Sequence, residues 1–309
     1  MSIRFDDRVA IVTGAGVGLG RCHALGLAER GAKVVVNDLG ASTDGRGQSS
    51  DAARAVVEEI RAMGGRAIAN GADVTDPEQV QAMVDEALAE FGHVDILVNN
   101  AGILRDKTFA KSTMDDFRRV LDVHLMGSVH TTHALWRHMV ERGYGRIVYT
   151  TSGSGLYGNF GQSNYGAAKS SLLGLMNVLA LEGAKYDIRV NMLAPTAATR
   201  MTESLLPPET LDLLQPEMIT PGLLALVCDD APSRMILGAG AGCFTETKIL
   251  ETAGVALQGD ALSPEGVIAA MGQIRDPRGQ AEMHDAFAQT RKYARMAAEA
   301  RGLPLPWND

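Results

Sequence analysis

The stretch VAIVTGAGVGLG, Val9 to Gly20, is an apolar run that passes straight into a glycine-rich turn. Its first five residues are small or β-branched, the composition of a strand buried on both faces. Gly14, Gly18 and Gly20 then let the backbone turn sharply into a helix from about Arg21 to Arg30. A diphosphate brought to that turn meets free N–H groups and the positive end of the helix dipole. The spacing is Gly, three residues, Gly, one residue, Gly, and not the commoner GxGxxG, so the context has to carry the reading. A strand precedes the loop, a helix follows it, and Asp38 stands at the end of the next strand, about 20 residues on. Asp38 can accept hydrogen bonds from both ribose hydroxyls of an adenosine, and its charge repels a 2′-phosphate, so NAD is expected over NADP. The plain alternative is an aspartate closing a turn.

Further short β-branched runs follow: KVVVN (33–37), RAIAN (66–70), VDILVN (94–99), RIVYT (146–150) and IRVNML (188–193). Between them, 51–63, 77–91, 114–142 and 165–186 carry apolar residues three and four apart. Strands alternating with helices predict an α/β fold, a doubly wound parallel sheet of Rossmann type with right-handed crossovers. Gly40 to Ser50 reads as a mobile loop, and PTAATRMTESLLPPE, from Pro195, as a segment that folds over a ligand. Gly238 to Val255 reads as a last strand with its turn. From Ser263 two helices are expected, the second with a stripe of Met283, Phe287, Thr290, Ala294 and Ala297. The domains are therefore 1–258, a Rossmann-type domain, and 259–309, a helical extension. Asp73, Asn99, Ala101 and Gly102 lie at the carboxyl ends of adjacent strands, where such a sheet opens its ligand crevice.

Composition narrows the class. Of 309 residues 46% are hydrophobic, enough for a sizeable core, and 29 basic residues against 37 acidic give a net charge of -8 with no basic stripe, so nucleic acid is not an expected partner. No apolar run is long enough to cross a membrane, the N-terminal MSIRFDDRVAIVTG carries charges where a signal peptide needs apolar residues, and LPLPWND has no peroxisomal address. Cys22, Cys228 and Cys243 are far apart and without a CxxC pair, which fits a reducing, cytoplasmic setting and gives neither a disulfide framework nor a thiolate metal site.

TGAGVGLG, the NNAG of 99–102, a serine in TTSGSG, and Tyr165-x-x-x-Lys169 together resemble the short-chain dehydrogenase/reductases. The likeness covers about residues 5 to 250. VVVNDLG, VNNAGILRD, YGNFGQ-x-NY and the GAG segment near 238–242 are in turn similar to the (3R)-hydroxyacyl-CoA dehydrogenase domains of peroxisomal multifunctional enzymes of type 2, a family allied to the hydroxysteroid dehydrogenases. The extension from Ser263 to Arg301 has a counterpart there, whereas the fused hydratase and sterol-carrier domains have none, as in a stand-alone version. The resemblance implies cofactor contacts from Gly14, Gly16, Gly18, Leu19, Gly20, Asp38, Asp73, Val74, Asn99, Ala101, Gly102, Tyr165, Lys169, Pro195 and Thr196.

Tyr165 and Lys169, four apart, share a helix face, so the ammonium is expected to sit near the phenol and lower its pKa, letting Tyr165 serve as general base. Ser152 is expected to hold the substrate oxygen; Ser154 is its rival, and the family spacing to the tyrosine selects Ser152. Where the family carries asparagine in an N-x-x-G segment, this chain reads His124-Leu125-Met126-Gly127. His124 is either a member of a proton relay to Lys169 or a hydrogen-bonded buried side chain. His130, His133 and His138 lack companion ligands, so no metal is expected. Met192 and Met201 are core filler or the lining of an apolar slot, and Arg105 and Arg200 are structural or reach a CoA phosphate. The function expected is NAD-dependent oxidation of a secondary alcohol, a (3R)-3-hydroxyacyl-CoA, with a hydroxysteroid dehydrogenase or a catalytically idle NAD-binding regulator as alternatives. Apolar residues on more than one face of 114–142 (Val129, Leu135, Trp136, Met139) and of 165–186 (Leu172, Leu175, Met176, Leu179) predict a homodimer or homotetramer.

Overall fold

The computed structural model describes residues 2–198 and 207–305. The chain divides into two compact units, Met1–Glu246 and Thr247–Asp309, a boundary ahead of the expected 258/259. In the first unit the chain order is β1 (Val9–Thr13), α1 (Gly18–Glu29), β2 (Lys33–Asn37), α2 (Asp51–Ala62), β3 (Arg66–Asn70), α3 (Pro77–Phe91), β4 (Ile96–Asn99), α4 (Met114–Leu121), α5 (Gly127–Arg142), β5 (Gly145–Thr150), α6 (Gly153–Tyr157), α7 (Ser163–Gly183), β6 (Ile188–Thr196), α8 (Pro208–Leu213), α9 (Thr220–Val227), β7 (Ile236–Gly240) and β8 (Cys243–Thr247). The strands form one sheet in the order β3-β2-β1-β4-β5-β6-β7-β8. Neighbours from β3 to β7 run parallel, with Val9 opposite Lys33, Ala10 opposite Ile96 and Ile96 opposite Arg146. Chain order reverses between β1 and β4, and their carboxyl ends frame the crevice expected of such a sheet.

Alternate strand residues feed two cores because side chains in a strand point to opposite faces. Ala10, Val12, Val34, Val36 and Val98 pack with Leu27 of α1, Ile60 of α2 and Leu223 of α9. Val9, Ile11, Val35, Leu97 and Ile147 pack on the other face with Val80 of α3, Leu135 of α5 and Leu172 of α7. Full burial of one such side chain contributes about 1.5–3 kcal/mol. The helix α3 shows how local sequence bounds an element: Asp76 accepts from the Glu78 and Gln79 amides, Pro77 opens the helix, and Gly92 ends it at φ 84°.

Two boundaries and the place of one residue differ from the sequence reading. The segment 114–142 is not one helix: a widened π turn over Asp122–Met126 separates α4 from α5. Apolar periodicity runs through an inserted residue without a break, so the pattern alone reads as continuous. The sheet also gains β8 after a tight turn at Ala241 and Gly242, both at positive φ (50° and 73°), the backbone of a type I′ hairpin. Met192, a possible slot residue, is instead fully buried in the core.

The second unit holds β9 (Leu250–Glu251), α10 (Pro264–Ala269), α11 (Met271–Ile274), β10 (Ala281–Glu282) and α12 (Ala286–Arg301). β9 and β10 pair antiparallel, and Lys292 of α12 bonds Glu251 and the Thr252 carbonyl. Among the described residues there are three helices where two were expected. Met283 precedes α12, Phe287 and Thr290 are exposed, Ala294 and Ala297 are half-buried and Ala298 is buried, so the expected stripe packs only in part.

Candidate active site

A cavity of about 580 Å³ opens at the carboxyl ends of the central strands, a size usual for small-molecule sites. One side is the turn after β1. Gly14 and Gly18 hold positive φ, and a Cβ on Gly20 would stand 2.2 Å from the Gly14 carbonyl oxygen, so side chains are excluded by geometry. Asn100 bonds this turn to β4: its Nδ2 donates to the Thr13 and Gly14 carbonyls at 3.0 Å, while Thr13 Oγ1 accepts from the Asn100 and Ala101 amides at 3.0 and 3.1 Å. The amino end of α1 has no side-chain cap and no acidic residue in its first turn, which leaves its N–H groups open to an anion on the cavity wall.

Asp38 ends the extended segment of β2 on that wall. Its Oδ2 accepts from the Gly16 amide and its Oδ1 from the Gly40 amide, both at 2.7 Å, so the carboxylate is held while other lone pairs stay available. Val17, Gly18, Leu19, Asp73, Val74, Ala101, Gly102, Pro195 and Thr196 line the cavity. Asp73 is fixed by the Thr75 amide and hydroxyl and pairs with Arg119 at 3.5 Å. Two expected cofactor residues stand off the wall. The Asn99 side chain is buried against Thr131 and Thr132, and Gly16 spends its amide on Asp38. In the doublet after β4 it is the second asparagine, Asn100, that faces the cavity, because successive residues leave a strand on opposite sides.

The opposite wall carries Ser152, Tyr165 and Lys169. Ser152 caps α6, accepting from the Ser154 amide at 3.1 Å, and its hydroxyl favours the charged form of the Tyr165 phenol. Its rival Ser154 donates its hydroxyl proton to Gln162 Oε1 at 2.7 Å. Lys169 is 4% exposed and donates to the Thr150 carbonyl at 2.5 Å, with Nζ 5.7 Å from the Tyr165 ring centre. Burial pulls its ammonium down to about 7. Burial likewise pushes the Tyr165 phenol up, Ser152 opposes the rise, and the Asp106 charge adds to it. The lowering of Tyr165 expected from Lys169 is not seen: burial dominates and raises the phenol, as it lowers the ammonium.

His124, in the π turn, is 2% exposed; its Nε2 lies 2.8 Å from the Ile103 carbonyl oxygen and 3.1 Å from the Ile103 amide, and its ring meets Tyr165 edge-on at 5.2 Å. Burial and the Lys169 charge hold it neutral, well below the usual histidine range. Its Nδ1 and Thr150 Oγ1 have no partner, leaving two buried polar atoms at this end of the cavity. Arg105 bonds Asp116 and the Asp44 carbonyl. Arg200 and Met201 lie outside the described residues. Among the described residues no group of three or more His, Cys, Asp or Glu could hold a metal ion, and no helix is long and apolar enough to cross a membrane.

Residues 8–210 match the family model of the short chain dehydrogenases. The chain is 47% identical over 286 residues to peroxisomal multifunctional enzyme A of Dictyostelium discoideum, covering 92% of this chain and 62% of that one. Full-length peroxisomal multifunctional enzyme type 2 from Drosophila melanogaster aligns with a TM-score of 0.77 and 37% identity over 93% of this chain and 48% of that one. A 7α-hydroxysteroid dehydrogenase solved with NADH and 7-oxo glycochenodeoxycholic acid aligns with a TM-score of 0.70 and 34% identity, covering 77% of this chain and 95% of that one. The chain therefore spans under two thirds of the multifunctional enzymes it matches. With the glycine turn, the serine, and the Tyr165–Lys169 pair on one cavity, the chain belongs to the short-chain dehydrogenase family and is an oxidoreductase acting on a CH–OH group.

Proposed function

We propose that the chain oxidises a (3R)-3-hydroxyacyl-CoA to the 3-oxoacyl-CoA with NAD. The observation that carries this reading is the convergence of Ser152, Tyr165 and Lys169 on one wall of a cavity whose other side holds Asp38 and the uncapped end of α1. That second side suits a dinucleotide: α1 for the diphosphate and Asp38 for the adenosine ribose, with Lys169 reaching a nicotinamide ribose. NAD, when bound, supplies the hydride acceptor and a positive charge near the phenol. Ser152 holds the substrate oxygen, and Tyr165 takes the hydroxyl proton while the carbinol C–O bond becomes a carbonyl. Lys169 steadies the phenolate that accepts this proton, a stabilisation that the buried side chain alone lacks.

Similarity to the multifunctional enzymes supports the acyl-CoA class. The deciding experiment is a panel of (3R)- and (3S)-hydroxyacyl-CoA and 17-hydroxysteroid substrates assayed with NAD and NADP by the absorbance of the reduced nicotinamide. Fastest turnover of the (3R)-acyl-CoA with NAD is expected. A steroid-first ranking would replace the substrate, and inertness toward every alcohol would favour an idle NAD-binding regulator.

Assembly belongs to the same reading. Leu135, Met139, Leu172 and Met176 are spent on the core, but α7 also exposes Val178 and Leu181 at 53% and 54%. This second apolar stripe supports pairing of α5 and α7 across a two-fold axis in a homodimer or homotetramer. Light scattering giving a monomer with full activity at micromolar concentration would refute it. Three free cysteines fit a cytosolic setting.

A further inference from the structure

Asp106 lies just behind the catalytic wall, in the segment after β4, and it is flanked by two cations that both turn away. Arg105 and Lys107 pair with the two oxygens of Asp116, at 3.0 and 2.9 Å, and among the described residues no cation pairs with Asp106 itself. Its partner is neutral: Gln162 Nε2 donates to Asp106 Oδ2 at 2.6 Å. The geometry is anchored on both sides, because Lys107 and Gln162 are bridged through their backbones and Asn164 Nδ2 donates to the Arg105 carbonyl at 3.0 Å.

Gln162 is 8% exposed, and both ends of its amide are spoken for. An ionised carboxylate only accepts, so Asp106 requires the NH₂ end. The carbonyl end must then face the opposite way, where it accepts from Ser154 Oγ at 2.7 Å and from Asn159 Nδ2 at 3.0 Å. The Ser154 proton is thereby committed away from the cavity. The Ser154 amide in turn donates to Ser152 Oγ, on the cavity wall that also carries Tyr165.

We infer that Asp106 is a positioning residue for the catalytic wall: its carboxylate fixes which way the Gln162 amide faces, and the amide sets the hydrogen-bond directions of the loop that presents Ser152 to Tyr165. The inference rests on the roles proposed above for Ser152 and Tyr165. The unneutralised charge has a second effect. Three ionisable groups face the phenol: Lys169 from its own helix, neutral His124 edge-on from the π turn, and Asp106 from the post-β4 segment. Of these three Asp106 is the charge that opposes phenolate, adding to the larger effect of burial.

The test compares Asp106→Asn and Asp106→Glu with the unmodified protein. Tyr165 ionisation is read without substrate or cofactor, as tyrosinate absorbance against a Tyr165→Phe background carrying the same change at 106. Asp106→Asn should bring the phenolate in at a pH lower by about half a unit or more, move the acid limb of the kcat/KM profile the same way, and lower kcat about fivefold, while Asp106→Glu restores both. If Asp106→Asn fails to fold, Gln162→Leu decides: it keeps the charge and breaks the amide link, so kcat should fall about fivefold with the Tyr165 midpoint unmoved. An unchanged midpoint and a kcat within about twofold in Asp106→Asn, or an unchanged kcat in Gln162→Leu, would overturn the inference. The titration needs no turnover, so failure of the proposed reaction and failure of the Asp106 role give different results.

Discussion

Strand β5 meets a buried cation at each end, and the two are treated in opposite ways. At its amino end the guanidinium of Arg146, 1% exposed, donates to the carbonyls of Cys228, Gly145, Asp187 and Asp229 and to the Asp187 carboxylate, and it stacks 4.1 Å from the Tyr144 ring centre. Nearby Asp95, fully buried, accepts from the Val9 amide and lies within ion-pair distance of Arg8, His93 and Arg142. At the carboxyl end Lys169 has the Thr150 carbonyl, while Thr150 Oγ1 and His124 Nδ1 beside it have no partner. Buried polar groups are normally satisfied, and an unmet one costs about 1–3 kcal/mol. One end of the sheet is thus saturated for stability, and the other keeps unmet polar atoms and a desolvated ammonium where a ligand can complete them.

The sharpest separation of the two ends comes from Tyr165→Phe. Turnover should fall by about 10⁴, roughly 5.5 kcal/mol of barrier, with NAD affinity and melting temperature near those of the unmodified protein. A rate retained within tenfold would remove the general-base role. Arg146→Met should do the reverse. Losing one member of a saturated buried network costs about 3–5 kcal/mol of stability, read from the denaturant midpoint, while kcat per folded molecule stays unchanged. A loss below about 1 kcal/mol would erase the contrast drawn here.

Lys169→Met breaks the comparison from within, because a stabilising change is expected at the end that fails catalytically. In the unfolded chain the ammonium keeps its proton up to its ordinary value of 10.5, and in the fold it gives the proton up near 7. Between those values the unfolded chain binds more protons, so stability rises with pH across the window, and the burial penalty is complete below about pH 7. Removing the charge should therefore raise stability by a few kcal/mol at neutral pH, at about 1.36 kcal/mol per unit, with the gain fading as pH approaches 10.5. Turnover and NAD affinity should both drop. A variant less stable than the parent at pH 7 in the absence of cofactor would show the ammonium to be a net support. The smallest effect belongs to Asp38→Ser: the preference for NAD over NADP should narrow by about tenfold, roughly 1.4 kcal/mol, without a full switch, since Leu39 and Gly40 follow and no arginine does. Equal use of both cofactors by the parent would end the role given to Asp38.

Much of the fold and of this site is legible from local pattern. The β1 run, its three glycines and Asp38 at the end of β2 are tied to one another by short chain segments, so their spacing already implies a crevice with an anion site. Tyr165 and Lys169 share a face by helical period alone, as the structure bears out. What escaped the pattern depends on a small turn or on a distant partner. Asn99 and Asn100 are adjacent and alike, and which of them faces the cavity is decided by where β4 ends. The π turn at Asp122–Met126 adds a residue to a helix without disturbing its apolar rhythm, and it delivers His124 to Ile103 and Tyr165.

Chain pattern by itself determined the alternating strands and helices, the parallel sheet and the shared helix face of Tyr165 and Lys169, because each rests on residues within a few positions of one another, whereas the family resemblance selects Ser152 over Ser154. Tertiary structure decided how those residues behave. Burial, which no window of sequence reports, pulls Lys169 to about 7 and raises Tyr165. Asp106 and Gln162, far apart in the chain, meet only when the segment after β4 lies against the start of α7. Hydrogen bonding and desolvation depend on distance in space, and distance in space is set by the packed sheet.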